Sequence, residues 1–352
     1  MKIRFEKRLT YPAFLSPLIL VLSLICSFIV MGVVFCLIGV DPLAAYREIY
    51  LGAFEDWYTI SEVLVRATPL IFTGLAVAVA LKMRLWNIGA DGQLFMGAFG
   101  ATWAAQTFCG LPWPALIPLV IICGMAAGAF WGLIVGFLKE RLDVNEILTS
   151  LLLNYVAVSL VHHYIYGPWR DPLVPGFPIT ARFVPSACFP QFFDTRLHLG
   201  LILAIAIAVI LWVVIEKTKW GYEIRSAGES AGAAEYAGIN VRRNIIIVFL
   251  LSGALAGMAG VSEIAGVHHK LQPGGISTGY GYTGIIIAWL ANANPLGVII
   301  GALLTGAIFI GADNLKITMG VSSDMVMVFI GTIMFLLLIG DFFKKFRIKI
   351  TR

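Results

Sequence analysis

Apolar runs long enough to cross a lipid bilayer follow one another along almost the whole chain, and that succession limits the fold more than any motif does. About 20 apolar residues of helix span a hydrocarbon layer roughly 30 Å thick, and a helix closes its own backbone hydrogen bonds there. On that rule spans fall near Phe14–Gly39, Val63–Leu81, Ile88–Phe108, Ala115–Leu138, Ile147–Tyr166, Leu199–Ile215, Ile245–Ala265, Tyr282–Ala291, Leu296–Ala312 and Met325–Gly340, ten in all, the eighth short and polar at its start. Hydrophobic residues fill 59% of the 352 positions and charged ones 13%, where a soluble domain carries roughly 25% charged residues. The expected fold class is all-α: a polytopic membrane protein of about 10 transmembrane helices, with residues 1–352 as one transmembrane domain. The 36 glycines suit it, because glycine lets membrane helices approach closely and permits broken helices beside a cavity.

Lysine and arginine set the orientation, since cytoplasmic loops carry the excess. With ten spans, one side receives Lys2, Arg4, Lys7, Arg8, Lys82, Arg84, Lys139, Arg141, the basic residues of the 216–244 loop and the basic carboxyl terminus. The other receives Arg47, Arg66, Arg170, Arg182, Arg196, Lys270 and Lys316. Both termini are thus expected inside (N-in/C-in), in a cytoplasmic (inner) membrane crossed many times, with lipid as the surrounding partner. The net charge of +5 sits in loops on one side and does not point to nucleic acid. The amino terminus is basic and then apolar, but its apolar run is too long for a signal peptide and lacks a clear small-x-small cleavage site, so it reads as a retained span. Cys26, Cys36, Cys109, Cys123 and Cys188 have no metal-ligand spacing. Adjacent helical residues such as His162-His163 point apart, and no metal site is expected. Tyr166–Leu197, with six prolines, reads as a semi-rigid outer segment that either meets an extracytoplasmic partner or simply connects two spans.

The longest polar interruption is Glu216–Asn244, which carries Lys217, Lys219, Arg225, Arg242 and Arg243 with Glu216, Glu223, Glu229 and Glu235. Flanked by spans and too charged for lipid, it is expected to be a cytoplasmic loop with its own structure. Ser230–Ala237 is rich in alanine and small residues, which favour helix, and Gly238 stands where a left-handed cap would end that helix. The loop holds no nucleophile–base pair and no phosphate-cradling glycine pattern, so it reads as a rigid knob that receives a push from a soluble partner. Ala233–Gly238 resembles the Ala-Ala-x-x-x-Gly core of the loop by which ABC-importer permeases dock on their ATPase. The longer run from Thr218–Tyr222 through Ala237–Val241 resembles one branch of them, the permeases of branched-chain amino acid, simple-sugar and nucleoside importers. On that resemblance Arg225, Glu229, Ser230, Ala233, Ala234, Glu235 and Gly238 are the expected ATPase-coupling residues.

Two stretches, Val63–Tyr166 and Ile245–Gly340, hold four spans each. The odd span 199–215 lies between them, so the second block enters the membrane in the opposite sense. The second span of each block opens on a polar interruption, Trp86–Gln93 in one and Gly279–Gly284 in the other. Matching interruptions in inverted halves point to a transport site near the midplane. Asn87, Asp91 and Gln93 stand in the first interruption. A charge at the bilayer centre costs roughly 2.5–3.5 kcal/mol, so Asp91 is expected away from lipid, either beside a solute path or satisfied within a re-entrant turn. Glu146, Ser150 and Asn154 recur every four residues with Asn145 and Thr149 alongside, making one polar stripe that lines a wet path or bonds to a neighbouring helix. Glu263, near the outer end of the seventh span, is a further candidate for the path.

The runs Asn87–Gln93 and Asn145–Tyr155 also resemble the nucleoside and simple-sugar branch of the same family. The resemblance extends over roughly residues 60 to 340. It implies the permease subunit of an ATP-binding-cassette importer that moves a nucleoside, or a simple sugar such as ribose, by alternating access. It also implies an ABC ATPase on the cytoplasmic face that binds ATP and Mg, a second permease subunit (a paralogue or a copy) and an extracytoplasmic solute-binding protein. The chain has no Gly-x-x-x-x-Gly-Lys-(Ser/Thr) pattern, so it is expected to hold no cofactor, to have no catalytic residue and not to be an enzyme. Two rival classes stand beside this reading. One is an ion-coupled secondary transporter using Asp91, Glu146 or Glu263. The other is an intramembrane enzyme, for which a nucleophile–base pair or an acidic metal cluster is missing.

Overall fold

Each apolar run expected to span is helical in the computed structural model, which describes residues 2–7, 15–174, 176–322 and 324–351. Arg8, Phe14, Pro175 and Arg352 lie outside the described residues. In chain order the elements are β1 (Lys2–Lys7), α1 (Leu15–Leu37), α2 (Pro42–Phe54), α3 (Trp57–Lys82), α4 (Ala90–Thr107), α5 (Trp113–Leu142) and α6 (Glu146–Tyr166). A 3-10 turn at Pro185–Ala187 follows, then α7 (Leu199–Lys217), α8 (Lys219–Glu229), α9 (Ala231–Tyr236) and α10 (Val241–Glu263), the last prolonged by a π-helical turn at Ile264–His268. α11 (Tyr280–Leu290), α12 (Pro295–Met319), α13 (Asp324–Lys345) and β2 (Phe346–Thr351) complete the chain.

Among the described residues six helices are long and apolar enough to cross a bilayer, namely α3, α5, α6, α7, α10 with its π turn, and α12. A seventh is reached if α1 and α2, bent by 116° to each other, count as one span. The sequence reading expected ten. The difference lies in particular helices. α4 has 18 residues and places Asp91 in its first turn. α11 has 11 residues, about 16 Å at 1.5 Å per residue and so about half a bilayer. α2 was not anticipated. Asp41 caps it by accepting from the Leu43 N–H, and Pro42 opens its first turn, where a missing N–H costs nothing.

The body is helical as expected, and the two ends of the chain add one short ribbon. β1 and β2 pair antiparallel, from Lys2 opposite Thr351 to Lys7 opposite Phe346. Both segments alternate apolar and polar residues (KIRFEK and FRIKIT), the period of a strand rather than of a helix.

The chain forms two compact units, one of residues 1–60 with 307–352 and one of residues 61–306. In the first, α1 packs along α13, where the Ser23 hydroxyl donates to the Leu336 carbonyl at 3.1 Å and Phe28 meets Phe329 edge-on at 5.1 Å. In the same unit the Asn314 amide donates to the Glu48 carbonyl at 3.0 Å.

The second unit is built on α4, α5 and α10, which approach through glycine. On α5, Gly124, Gly128, Gly132 and Gly136 recur every four residues along one face. A Cβ on Gly128 would lie 2.4 Å from the Gly253 carbonyl oxygen, and one on Gly97 of α4 would lie 2.2 Å from that of Gly257. Small residues of this kind let membrane helices pack backbone to backbone.

The proline-rich segment after α6 is ordered by main-chain bonds to the end of α10. Thr180 N–H donates to Leu271 O at 3.0 Å, Phe183 N–H to His269 O at 2.8 Å and Phe189 N–H to Ala265 O at 2.8 Å. Arg196 holds Glu62 through both guanidinium branches. His198, which caps α7, is buried and its Nδ1 accepts from the Gly200 N–H at 3.1 Å. Burial, and then nearby His269, push its pKa down to about 4, so the ring stays neutral at physiological pH.

Candidate functional site

The two polar interruptions meet. Before α4 the chain unwinds over Trp86–Gly89, and Asn87 organises the break. Its Nδ2 donates to Gln93 Oε1 at 2.8 Å and to Ser252 Oγ at 2.7 Å, and its Oδ1 accepts from Gln93 Nε2 at 3.2 Å and from the Gly89 N–H at 3.0 Å. Ser252 passes the chain of bonds to the Ala76 carbonyl at 2.5 Å. Asn87, Gln93 and Ser252 are buried, and this network satisfies their polar groups.

Asp91 reaches the other break. Its Oδ1 accepts from the Ser277 hydroxyl at 2.7 Å and from the Gly281 N–H at 3.1 Å. The Ser277 oxygen in turn accepts from the N–H groups of Gly279 and Tyr280. Asp91 thus lies in the first turn of α4 and bonds to the first turn of α11, between two helix N-termini whose dipoles favour a negative charge. The approach is close: a Cβ on Gly281 would fall 2.1 Å from the Asp91 nitrogen.

Three consecutive residues at the start of α11 are held by three different helices. Tyr280 accepts from Arg66 Nη1 of α3 at 2.6 Å, Gly281 donates to Asp91 of α4, and the Tyr282 hydroxyl accepts from Asn154 Nδ2 of α6 at 3.1 Å. Asn154 also donates to the Ile88 carbonyl at 2.9 Å and accepts from the Gly92 N–H at 2.8 Å. The polar stripe on α6 therefore divides. Ser150 and Asn154 are buried against the α4 break, and a Cβ on Gly89 would stand 2.9 Å from that of Ser150. Asn145 caps α6 by accepting from Ile147 and Leu148 N–H groups, and Glu146 pairs with Lys139 of α5 at 3.3 Å. Glu263, buried at the end of α10, lies 3.4 Å from His268 Nε2 on the π turn and is not hydrogen-bonded into the Asn87–Asp91–Asn154 network. Sequence reasoning marked both interruptions but missed Arg66, Ser252, Ser277 and Tyr282. The glycine–tyrosine alternation of 279–284 was the available signal for the last.

The 216–244 loop holds two short helices rather than one. Thr218 caps α8, which buries Gly221, Ile224 and Ala227. Arg225 donates to the Ile215 carbonyl at the end of α7 and lies 3.4 Å from Glu216, which also pairs with Lys82 at 3.1 Å. A cation there meets the negative end of the α7 dipole, so Arg225 anchors the element to its own chain. Ser230 ends α8 and caps α9, accepting from the Ala233 N–H at 3.3 Å. Gly238 ends α9 with φ +82°. Its N–H bonds to Glu235 O, and that of Ile239 to Ala234 O, the paired pattern of a Schellman cap. Ala234 is 3% exposed and faces its own chain, whereas Glu229, Ala233 and Glu235 are exposed. Tyr236, not singled out from the sequence, is 97% exposed.

The chain is similar to known proteins over most of its length. Residues 59–338 match the family described as branched-chain amino acid transport system / permease component. The glucose ABC transporter permease protein TsgB13 of Haloferax volcanii is 36% identical, over 99% of this chain and 94% of its own. The guanosine ABC transporter permease protein NupP of Bacillus subtilis is 37% identical over 93% of both chains. The nucleoside ABC transporter permease protein NupB of Lactococcus lactis is 31% identical, over 91% of this chain and 89% of its own. A match of this extent, on a helical body built around two facing helix breaks, makes the chain a member of the branched-chain amino acid transport system permease family.

Proposed function

We propose that the chain is the permease subunit of an ATP-binding-cassette importer that brings a nucleoside across the cytoplasmic membrane. The observation that carries the reading is the α8–α9 element. It is charged, capped at both helices and anchored by Arg225 to α7, and it presents Glu229, Ala233, Glu235 and Tyr236 outward. Such an element transmits displacement because its internal bonds leave it little freedom to deform. A separate ATPase that holds ATP and Mg docks on it, and a second permease subunit and an extracytoplasmic binding protein complete the complex.

In this reading α1, α3–α7 and α10–α13 make the ten crossings, with α4 and α11 as the broken members of inverted halves 63–166 and 245–340. The pairing of β1 with β2 is compatible with an even number of crossings. Asn87, Asp91, Gln93, Asn145, Glu146, Ser150, Asn154 and Glu263 border or brace the path. The guanosine and nucleoside permeases among the relatives favour a nucleoside. A simple sugar is the second reading, favoured by the glucose permease.

The test is purification from native membranes followed by reconstitution in vesicles. An ATPase subunit is expected to accompany the chain, and guanosine uptake is expected to require ATP. If no ATPase accompanies it, or uptake runs on an ion gradient without ATP, the proposal fails.

A further inference from the structure

Within the network that joins the two breaks, Ser277 and Arg66 are partly exposed and the aromatic Tyr282 is the most open side chain. Asn87, Asp91, Gln93, Asn154 and Ser252 are all buried, but Tyr282 is 40% exposed. Its hydroxyl is fixed by Asn154, which is itself fixed to Ile88 and Gly92. Tyr155, the next residue on α6, is 66% exposed. Asn154 lies eight residues from the start of α6, about 12 Å along it at 1.5 Å per residue, and so near the middle of a hydrocarbon layer roughly 30 Å thick. Tyrosine belongs at the two membrane surfaces, where its hydroxyl meets water. Tyr282, whose hydroxyl is bonded into the polar network at that depth, is therefore suited to a wet path rather than to lipid. A ring held in place by a buried scaffold and open on its outer side has the construction of a preorganised binding group.

We infer that Tyr282, flanked by Tyr155, is the platform on which the aromatic base of the transported nucleoside stacks as it crosses the midplane. Every base offers a π-face, so a stack of this kind holds purines and pyrimidines alike without reading their hydrogen-bonding edges. Asn154 acts through Tyr282, by setting the ring's position relative to both breaks. The inference rests on the nucleoside reading and adds the group that recognises the base.

The experiment compares uptake of uridine with uptake of dihydrouridine, whose base is saturated and cannot stack. The full complex is reconstituted with Tyr282→Leu, Tyr282→Phe or wild-type permease. Tyr282→Leu is expected to slow uridine uptake roughly tenfold, within the range of a lost base–aromatic stack, and to change dihydrouridine uptake less than twofold. Tyr282→Phe keeps the ring but loses the Asn154 bond that positions it, and for uridine it is expected to fall between wild type and Tyr282→Leu. Equal losses for the two solutes, no loss for either, or a Tyr282→Phe defect as large as that of Tyr282→Leu would overturn the platform. Should Tyr282→Leu not assemble with the ATPase, Tyr282→Met takes its place in the same comparison. A wild-type complex that moves no nucleoside at all would instead count against the proposed function.

Discussion

Replacing Asp91 separates two uses of a buried carboxylate. Both of its hydrogen bonds fall on one oxygen, Oδ1, which accepts from Ser277 Oγ at 2.7 Å and from the Gly281 N–H at 3.1 Å. Asparagine offers a single acceptor oxygen at the same place, so Asp91→Asn keeps both bonds and gives up only their charge-assisted part, about 1–2 kcal/mol in all. Asp91→Ala removes the acceptor and leaves a hydroxyl and an N–H without it, at about 1–3 kcal/mol each and so about 2–6 kcal/mol together. The start of α11 would then lose its tie to α4. The assay measures unfolding of the purified complex in detergent alongside ATP-driven guanosine uptake in vesicles. The expected order is wild type, then Asp91→Asn slightly below it, then Asp91→Ala far below in both measurements. An asparagine variant that unfolds like wild type but takes up no more guanosine than the alanine variant would refute this reasoning. The charge itself would then be in use, as an ion-coupled transporter requires.

Four further outcomes are expected. In a cysteine-free background, Leu173→Cys, at a position 86% exposed in the segment after α6, should react with an impermeant thiol reagent from outside, and Glu229→Cys only after the membrane is opened; labelling of both from one side contradicts the topology. Tyr236→Ala should reduce the ATPase that copurifies without lowering the amount of permease in the membrane; unchanged copurification would remove Tyr236 from the docking surface. At Gly238 an added Cβ meets no atom within 4 Å, but Gly238→Val must hold φ near +82°, at a cost of about 1–2 kcal/mol; ATP turnover measured beside uptake should show hydrolysis uncoupled from transport. Gly257→Leu should prevent stable packing of α10 on α4 and α5 and deplete the permease from membranes, whereas Gly232→Leu, with open space around it, should leave the amount in the membrane unchanged on an immunoblot.

Local chemistry made much of this protein legible from its residues. Apolar runs announce helices wherever they stand, because the demand for internal hydrogen bonding in lipid depends on the run alone. Caps are local too: Gly238 was readable because a helix end needs a left-handed residue within a few positions, whereas Asn145 and Ser230, read as path and coupling residues, cap α6 and α9 in the structure. Length along the membrane was less legible, since a polar first turn as in α4 and a stop after 11 residues as in α11 look like spans in a hydropathy window. Which group satisfies a buried polar side chain was not legible at all. Asp91 meets Gly281 across 190 positions and Asn154 meets Tyr282 across 128, and no local pattern encodes such a pairing. The inward turn of Ala234, the anchoring of Arg225 to the end of α7 and the outward exposure of Tyr236 were likewise decided by packing. The sequence determined that polar groups lie within apolar helices and must be satisfied; only the tertiary structure decided that they satisfy one another, because the low dielectric that forbids a lone charge accepts any partner the fold brings within bonding distance.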